Sequence, residues 1–214
     1  MAFGEVGTSL SKIKANSLNL AGTFGFSGTV SGLADETPLV LISTFTSDGS
    51  DATASFTSGI DSTYKEYVFV GTNIHAASDG TVLTVGFRDG GSDYDATKTT
   101  TSFRVYHDEG DSQTARAYVD SQDLDQSTSF QPIIIDMGTD NDQSGCFRLH
   151  LFDPSSTTFV KNFTSTMQNY HNADLSNQLY VGGYCNVTAA IDGVQFKMSS
   201  GNIDAGTIKM YGVN

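Results

Sequence analysis

The sequence predicts an all-β fold: an antiparallel β-sandwich, jelly-roll-like, with an extended N-terminal arm. Three observations predict it. From Pro38 onward most segments alternate apolar and polar residues, the period of two expected of a half-buried strand. Between those segments recur clusters of Gly, Asp, Asn and Ser, which supply positive φ and side chains that satisfy local backbone in tight turns. No window of a dozen residues keeps apolar positions at i, i+3, i+4 and i+7, so helices are not expected. With 214 residues, 22 Gly, 3 Pro and no Trp, the chain suits one generous all-β domain plus a short extension.

The elements follow in order. Residues 1–16 (MAFGEVGTSLSKIKAN) are small, polar and aperiodic, an extended lead. In SLNLAGTFGFSGTVSG, Leu18, Leu20, Phe24, Phe26 and Val30 all fall on even positions, so a strand or hairpin there presents one apolar face. Such a strip needs a partner surface, either its own domain or another subunit. Burying Leu18, Leu20, Phe24 and Phe26 would contribute roughly 1.5 to 3 kcal/mol each, opposed by about 1 to 2 kcal/mol of chain entropy per ordered residue. Residues 1–36 are therefore read as an anchoring or oligomerisation arm, and 37–214 as the sandwich domain.

Strand segments within the domain are PLVLISTFT (38–46), TASFTSG (53–59), TYKEYVFVGTNIH (63–75), TVLTVGFR (81–88), TTTSFRVYHD (99–108), TARAYVDS (114–121), SFQPIIIDMG (129–138), GCFRLHLFD (145–153), FVKNFTSTMQNY (159–170), NQLYVGGYCNVT (177–188), DGVQFKM (192–198) and TIKMYGV (207–213). Val82, Thr84 and Gly86 oppose Leu83, Val85 and Phe87, and Phe147, Leu149 and Leu151 oppose Arg148 and His150. The total is about eleven short strands, the number of a two-sheet sandwich rather than of a parallel sheet. A strand over 207–213 is expected to be held inside a sheet.

Charge and composition exclude several functions. Eleven Lys plus Arg against 24 Asp plus Glu give a net charge of −13, which repels nucleic acid and anionic lipid over most of the surface. The N-terminus lacks a basic stretch followed by an apolar run, and no segment reaches about 18 apolar residues, so neither export by the usual signal nor membrane insertion is expected. Cys146 and Cys185 do not make a disulfide framework and are expected as two buried thiols.

Candidate chemistry is sparse. His75, His107, His150 and His171 are scattered without metal-ligand spacing; His107, beside Asp108 and Glu109, is the first to inspect. Asp89, Asp93 and Asp95, with Asp140 and Asp142, lack a full calcium loop with its closing glutamate and read as turn formers. Glu66 lies on a strand without an identifiable second carboxylate for glycoside hydrolysis. No nucleophile elbow, phosphate loop or dinucleotide fingerprint is present. The expectation is a protein that is not an enzyme, with no cofactor and no metal. Tyr94, Tyr118, Tyr170 and Tyr184, at strand ends or in loops, are the candidate stacking platforms for sugars. The sequons at Asn162 and Asn186 carry no weight without an export signal.

The stretch G-N-I-D-A-G-T-I-K-M-Y-G-V (201–213) resembles the C-terminal signature of structural proteins from tailed bacteriophages, especially marine ones infecting cyanobacteria. STYKEYVFVGTNIHAASDGTVLTVGFR (62–88) looks like the early strand pair of that group, and LHLFDPSSTTFVKNF (149–163) like its middle portion. TFGFSGTVSG (23–32) is similar to short strands that precede such domains in tail fibres and head appendages. The resemblance covers about residues 60–214 and implies a β-sandwich, often trimeric, on the virion exterior, assembled in the host cytoplasm beside other virion proteins. Two roles follow: a capsid decoration or short head fibre, and a tail-fibre tip recognising host surface glycan. No functional residues transfer with the resemblance.

Overall fold

The computed structural model of the protein describes residues 38–214. The arm and its proposed contact residues Leu18, Leu20, Phe24, Phe26 and Val30 lie outside the described residues. Within 38–214 the fold is all-β and antiparallel, with twelve strands: β1 (Leu39–Thr46), β2 (Ala54–Phe56), β3 (Glu66–Ala76), β4 (Thr81–Arg88), β5 (Lys98–Asp108), β6 (Thr114–Tyr118), β7 (Gln131–Met137), β8 (Gly145–Phe152), β9 (Lys161–His171), β10 (Leu175–Cys185), β11 (Gly193–Met198) and β12 (Ile203–Val213). Each falls on one of the segments predicted from periodicity, so the count is twelve rather than about eleven.

Eight strands run side by side in the order β1-β12-β3-β8-β9-β10-β5-β6, and four in the order β7-β4-β11-β2. β7, at the edge of the shorter run, meets β9, an interior strand of the longer one, through the pair Met137↔His171. Successive strands change layer: β1 lies in the larger sheet and β2 in the smaller, β3 in the larger and β4 in the smaller, β7 and β11 in the smaller and β8 and β12 in the larger. The long hairpin β9-β10 and the hairpin β5-β6 extend only the larger sheet.

The core lies between the layers. Phe196 of β11 and Phe56 of β2 meet Phe69 of β3 and Phe147 of β8, with the ring centroids of the four contacts 5.2 to 6.1 Å apart. Phe87 of β4 meets Phe163 of β9 at 4.8 Å. These are the inward residues of alternating strands, and Leu83, Val85, Phe87 and Leu149 are fully buried, as the sequence pattern requires.

The outer faces of the two sheets differ. Phe130 sits over Gly86, where a Cβ would come within 2.6 Å of the ring, and Lys197 places its ammonium 4.0 Å from the centre of the same ring. The smaller sheet is thus partly covered on its outer side, whereas among the described residues the larger sheet keeps an open face. Cys146 belongs to that face, which corrects the expectation of two buried thiols: Cys185 is buried and Cys146 is exposed. The reason is alternation, since Phe147, Leu149 and Leu151 turn inward and leave Cys146 and Arg148 outward.

Gly206 illustrates how turn chemistry sets register. It sits at φ 118° where the pairing of β12 with β3 shifts register, and an added Cβ would lie 2.7 Å from the Asn73 carbonyl oxygen and 2.8 Å from Ile74 Cα. Gly206→Ala is expected to cost about 1 to 3 kcal/mol, from overpacking against backbone and an unfavourable φ, measured by denaturant unfolding.

Candidate functional site: the open face of the larger sheet

Register places outward residues of eight strands in rows. One row runs Thr44, Lys209, Val70, Arg148, Thr166, Tyr180, Phe103 and Tyr118, each paired with the next across a strand boundary. Beside it, Cys146, Gln168, Gln178, Val105 and Arg116 form a second row, continued toward β1 by Thr72, Thr207 and Thr46. On the other side Leu41, Tyr211, Val68, His150, Thr164, Gly182 and Thr101 form a third. With neighbouring strands about 4.8 Å apart, the rows span roughly 30 Å.

At the β5-β6 end the face is aromatic. Phe103 and Tyr180 stack with centroids 4.6 Å apart and planes 7° from parallel, and Phe103, Val105 and Tyr118 are 44%, 37% and 57% exposed. The Tyr118 hydroxyl donates to Asp123. Toward the centre, Arg148, Thr166, Gln168, Gln178 and Tyr180 line a shallow depression of about 430 Å³. Hydroxyl, amide and guanidinium groups thus adjoin ring faces, a combination able to hydrogen-bond and stack against a ligand.

The charge of this face differs from that of the whole chain. None of the three rows contains an aspartate or glutamate, although the chain holds 24. Most cations elsewhere are engaged. Lys65 pairs with Asp153, Arg88 with Asp192, and Arg104 with Asp136 and the Tyr106 ring. Lys197 lies over Phe130, and buried Lys98 and Lys161 donate to the Ala96 and Val187 carbonyls. Among the described residues, Arg116, Arg148 and Lys209 are the three cations without a carboxylate, carbonyl or ring partner, and all three are exposed on the open face.

The histidines do not converge. His75 bonds Asp204 through Nδ1 at 2.9 Å and the Asp140 carbonyl through Nε2 at 3.2 Å. His107 lies 3.1 Å from Asp111 in the exposed β5-β6 turn, whose Asp108 accepts from the Ser112 and Gln113 amides. The Ser112 hydroxyl and those amides hold the Asp108 carboxyl below its ordinary value, the behaviour of a turn aspartate. His150 pairs with Glu66 across β8 and β3. His171 accepts the Ala173 amide at Nδ1, 2.9 Å away, and so directs its Nε2 proton to Asp136 at 3.1 Å, leaving neither ring nitrogen free. No three His, Cys, Asp or Glu among the described residues come together as a metal site.

The sequence-derived tyrosines divide. Tyr118, Tyr170 and Tyr184 occupy outward positions on β6, β9 and β10, whereas Tyr94 lies in the β4-β5 connection against Arg88 and Phe130. The Tyr170 hydroxyl donates to Asp174 at 3.1 Å, and that carboxylate pushes its pKa up to about 12. Phe103, Tyr180, Arg116, Arg148 and Lys209 were not singled out from sequence. Strand alternation marks each as outward, but only the pairing order places them in one patch. Comparison with protein-family models, with curated proteins and with solved structures finds no match to this chain.

Proposed function

We propose that this chain is a non-enzymatic bacteriophage virion structural protein, a surface-exposed capsid decoration or short head-fibre subunit, anchored by residues 1–36 and assembled as a trimer. In this reading the strand order is a jelly roll: β1, β12, β3 and β8 face β2, β11, β4 and β7, and β5, β6, β9 and β10 form an added wing. The observation that carries the proposal is the place where the arm joins the domain. It leads into β1, which among the described residues is an edge strand with one side unpaired, and whose Leu39 and Leu41 are 37% and 53% exposed. A free apolar edge is where a neighbouring strand adds, through main-chain hydrogen bonds and alternate side chains. The resemblance of 201–213 to phage structural proteins bears on the same place, because those residues include β12, the neighbour of β1.

Immunolabelling of intact particles, with removal of residues 1–36, tests the proposal. The full chain is expected on the particle surface, and the truncated chain is expected to stay folded yet fail to attach. Attachment that survives the truncation overturns the anchoring role, and absence of the chain from particles overturns the virion assignment.

A second reading, the receptor-binding tip of a tail fibre, is favoured by the aromatic end of the open face. Phe103, Tyr180 and Tyr118 offer ring surface to sugars beside the side chains of Gln178 and Thr166.

A further inference from the structure

We propose that the open face of the larger sheet binds an acidic polysaccharide, a chain bearing carboxylate or sulfate groups, with Arg148, Lys209 and Arg116 taking the anions and the Phe103–Tyr180 stack taking a sugar ring. The inference rests on the glycan reading given above and specifies the ligand class.

Charge segregation is the first observation. In a chain of net charge −13, three rows crossing eight strands carry no carboxylate, and the three partnerless cations of the described residues all lie there. Elsewhere in the described domain exposed Lys65 and the partly buried Arg88 and Arg104 each meet a carboxylate. Carboxylates stand at the margins of these rows, Glu66 on His150 and Asp123 on Tyr118, and the unpaired cations between them give a polyanion local attraction on an otherwise acidic domain.

Spacing is the second. Lys209 and Arg148 are separated by β3, about 10 Å apart across the sheet, and Arg148 and Arg116 by β9, β10 and β5, about 20 Å apart. Cations set at such intervals suit charges repeated along an extended chain better than one compact anion. Aromatic and amide groups fill the intervals: Tyr180 and Phe103 occupy the two strands next to Arg116, and Gln168 and Gln178 line the depression that holds Arg148. Ring faces take the apolar side of a sugar, and Thr166, Gln168 and Gln178 can bond its hydroxyls. A polar, hydroxyl-bonding surface with few but free charges distinguishes this from a nucleic-acid groove, in which many basic side chains track the backbone.

The test is binding of the purified full chain to immobilised polygalacturonate, dextran sulfate, neutral dextran and single-stranded oligothymidylate. Polygalacturonate or dextran sulfate is expected to bind, and preference between them identifies carboxylate or sulfate as the recognised group. Neutral dextran is expected not to bind. Affinity should fall on the order of tenfold between about 50 and 200 mM salt, as for a linear polyanion held by three cations. The triple variant Arg116→Gln, Arg148→Gln, Lys209→Gln should lose binding, and Phe103→Ala should weaken it at unchanged salt dependence. Failure of both acidic polymers to bind at low salt, or equal binding by the triple variant, overturns the proposal. So does oligothymidylate bound as tightly as the polysaccharides, which would mark an undiscriminating polyanion patch. Were the triple variant to misfold, the salt series and the neutral polymer on the unaltered chain still decide. Binding of neutral dextran alone would overturn this inference and leave glycan recognition standing, whereas absence from particles would leave this inference untouched.

Discussion

Phe196→Ala is expected to lower unfolding free energy by about 3 to 5 kcal/mol, measured by denaturant unfolding. Phe196 is fully buried on β11 and its ring touches Phe56 on its own sheet and Phe69 and Phe147 on the opposite one. Truncation removes its transfer free energy and also leaves a cavity that rings anchored on three different strands cannot collapse to fill. Edge-to-face and tilted ring pairs add about 0.5 to 1.5 kcal/mol each beyond buried area, so three contacts are lost together. Phe159→Ala is the control: Phe159 is 70% exposed, and the change should stay within about 0.5 kcal/mol. Equal effects at the two positions would show that the two sheets do not share this core.

The second large effect concerns the row Lys98, Cys185, Lys161. Cys185 of β10 pairs with Lys98 of β5 on one side and Lys161 of β9 on the other, and all three are fully buried. The ammonium of Lys98 donates to the Ala96 carbonyl at 2.6 Å and that of Lys161 to the Val187 carbonyl at 3.0 Å. Neither meets a carboxylate among the described residues. Burial therefore lowers the Lys98 pKa from its ordinary 10.5, and burial pushes the Cys185 thiol up to about 12.

The two groups act on stability with opposite signs. Between the lowered Lys98 value and 10.5 the unfolded chain binds more protons than the folded one, so stability rises with pH across that window and is lost as pH falls through the folded value. Cys185 keeps its proton in the folded chain up to about 12 but loses it near 9 when unfolded, so its contribution is complete below 9 and declines from 9 to 12. Lys98→Met, close in volume and without charge, is expected to raise stability at neutral pH by roughly 1 to 2 kcal/mol, the relief from an uncompensated buried charge less one hydrogen bond. It should also flatten the alkaline rise. Cys185→Ala should remove the decline above pH 9. Unfolding curves from pH 7 to 11 check both, and a destabilised Lys98→Met protein with unchanged pH dependence would show that Lys98 is not the titrating group.

Much of the fold was legible before any coordinates, because strand identity depends on local alternation. The inward set Phe147, Leu149 and Leu151 and the outward set Cys146 and Arg148 follow from a period of two, and the same rule, applied to Cys146, removes the expectation that both thiols are buried. Turn aspartates such as Asp108 are equally local, since an Asx side chain bonds amides a few residues away. The open face is different. Lys209, Arg148, Tyr180 and Phe103 lie on four strands far apart in the chain, and alternation says only that each points outward.

By itself, then, the sequence determined an all-β antiparallel protein, the segments that become strands and which residues of each strand point inward. Tertiary structure alone decided that β12 lies between β1 and β3, that β10 brings Lys98 and Lys161 to either side of Cys185, and that Arg116, Arg148 and Lys209 share one outer sheet face. The physical reason is range. Side-chain facing is set by backbone geometry within two residues, whereas strand neighbours are set by hydrogen bonds and packing across more than a hundred positions, which no local pattern encodes.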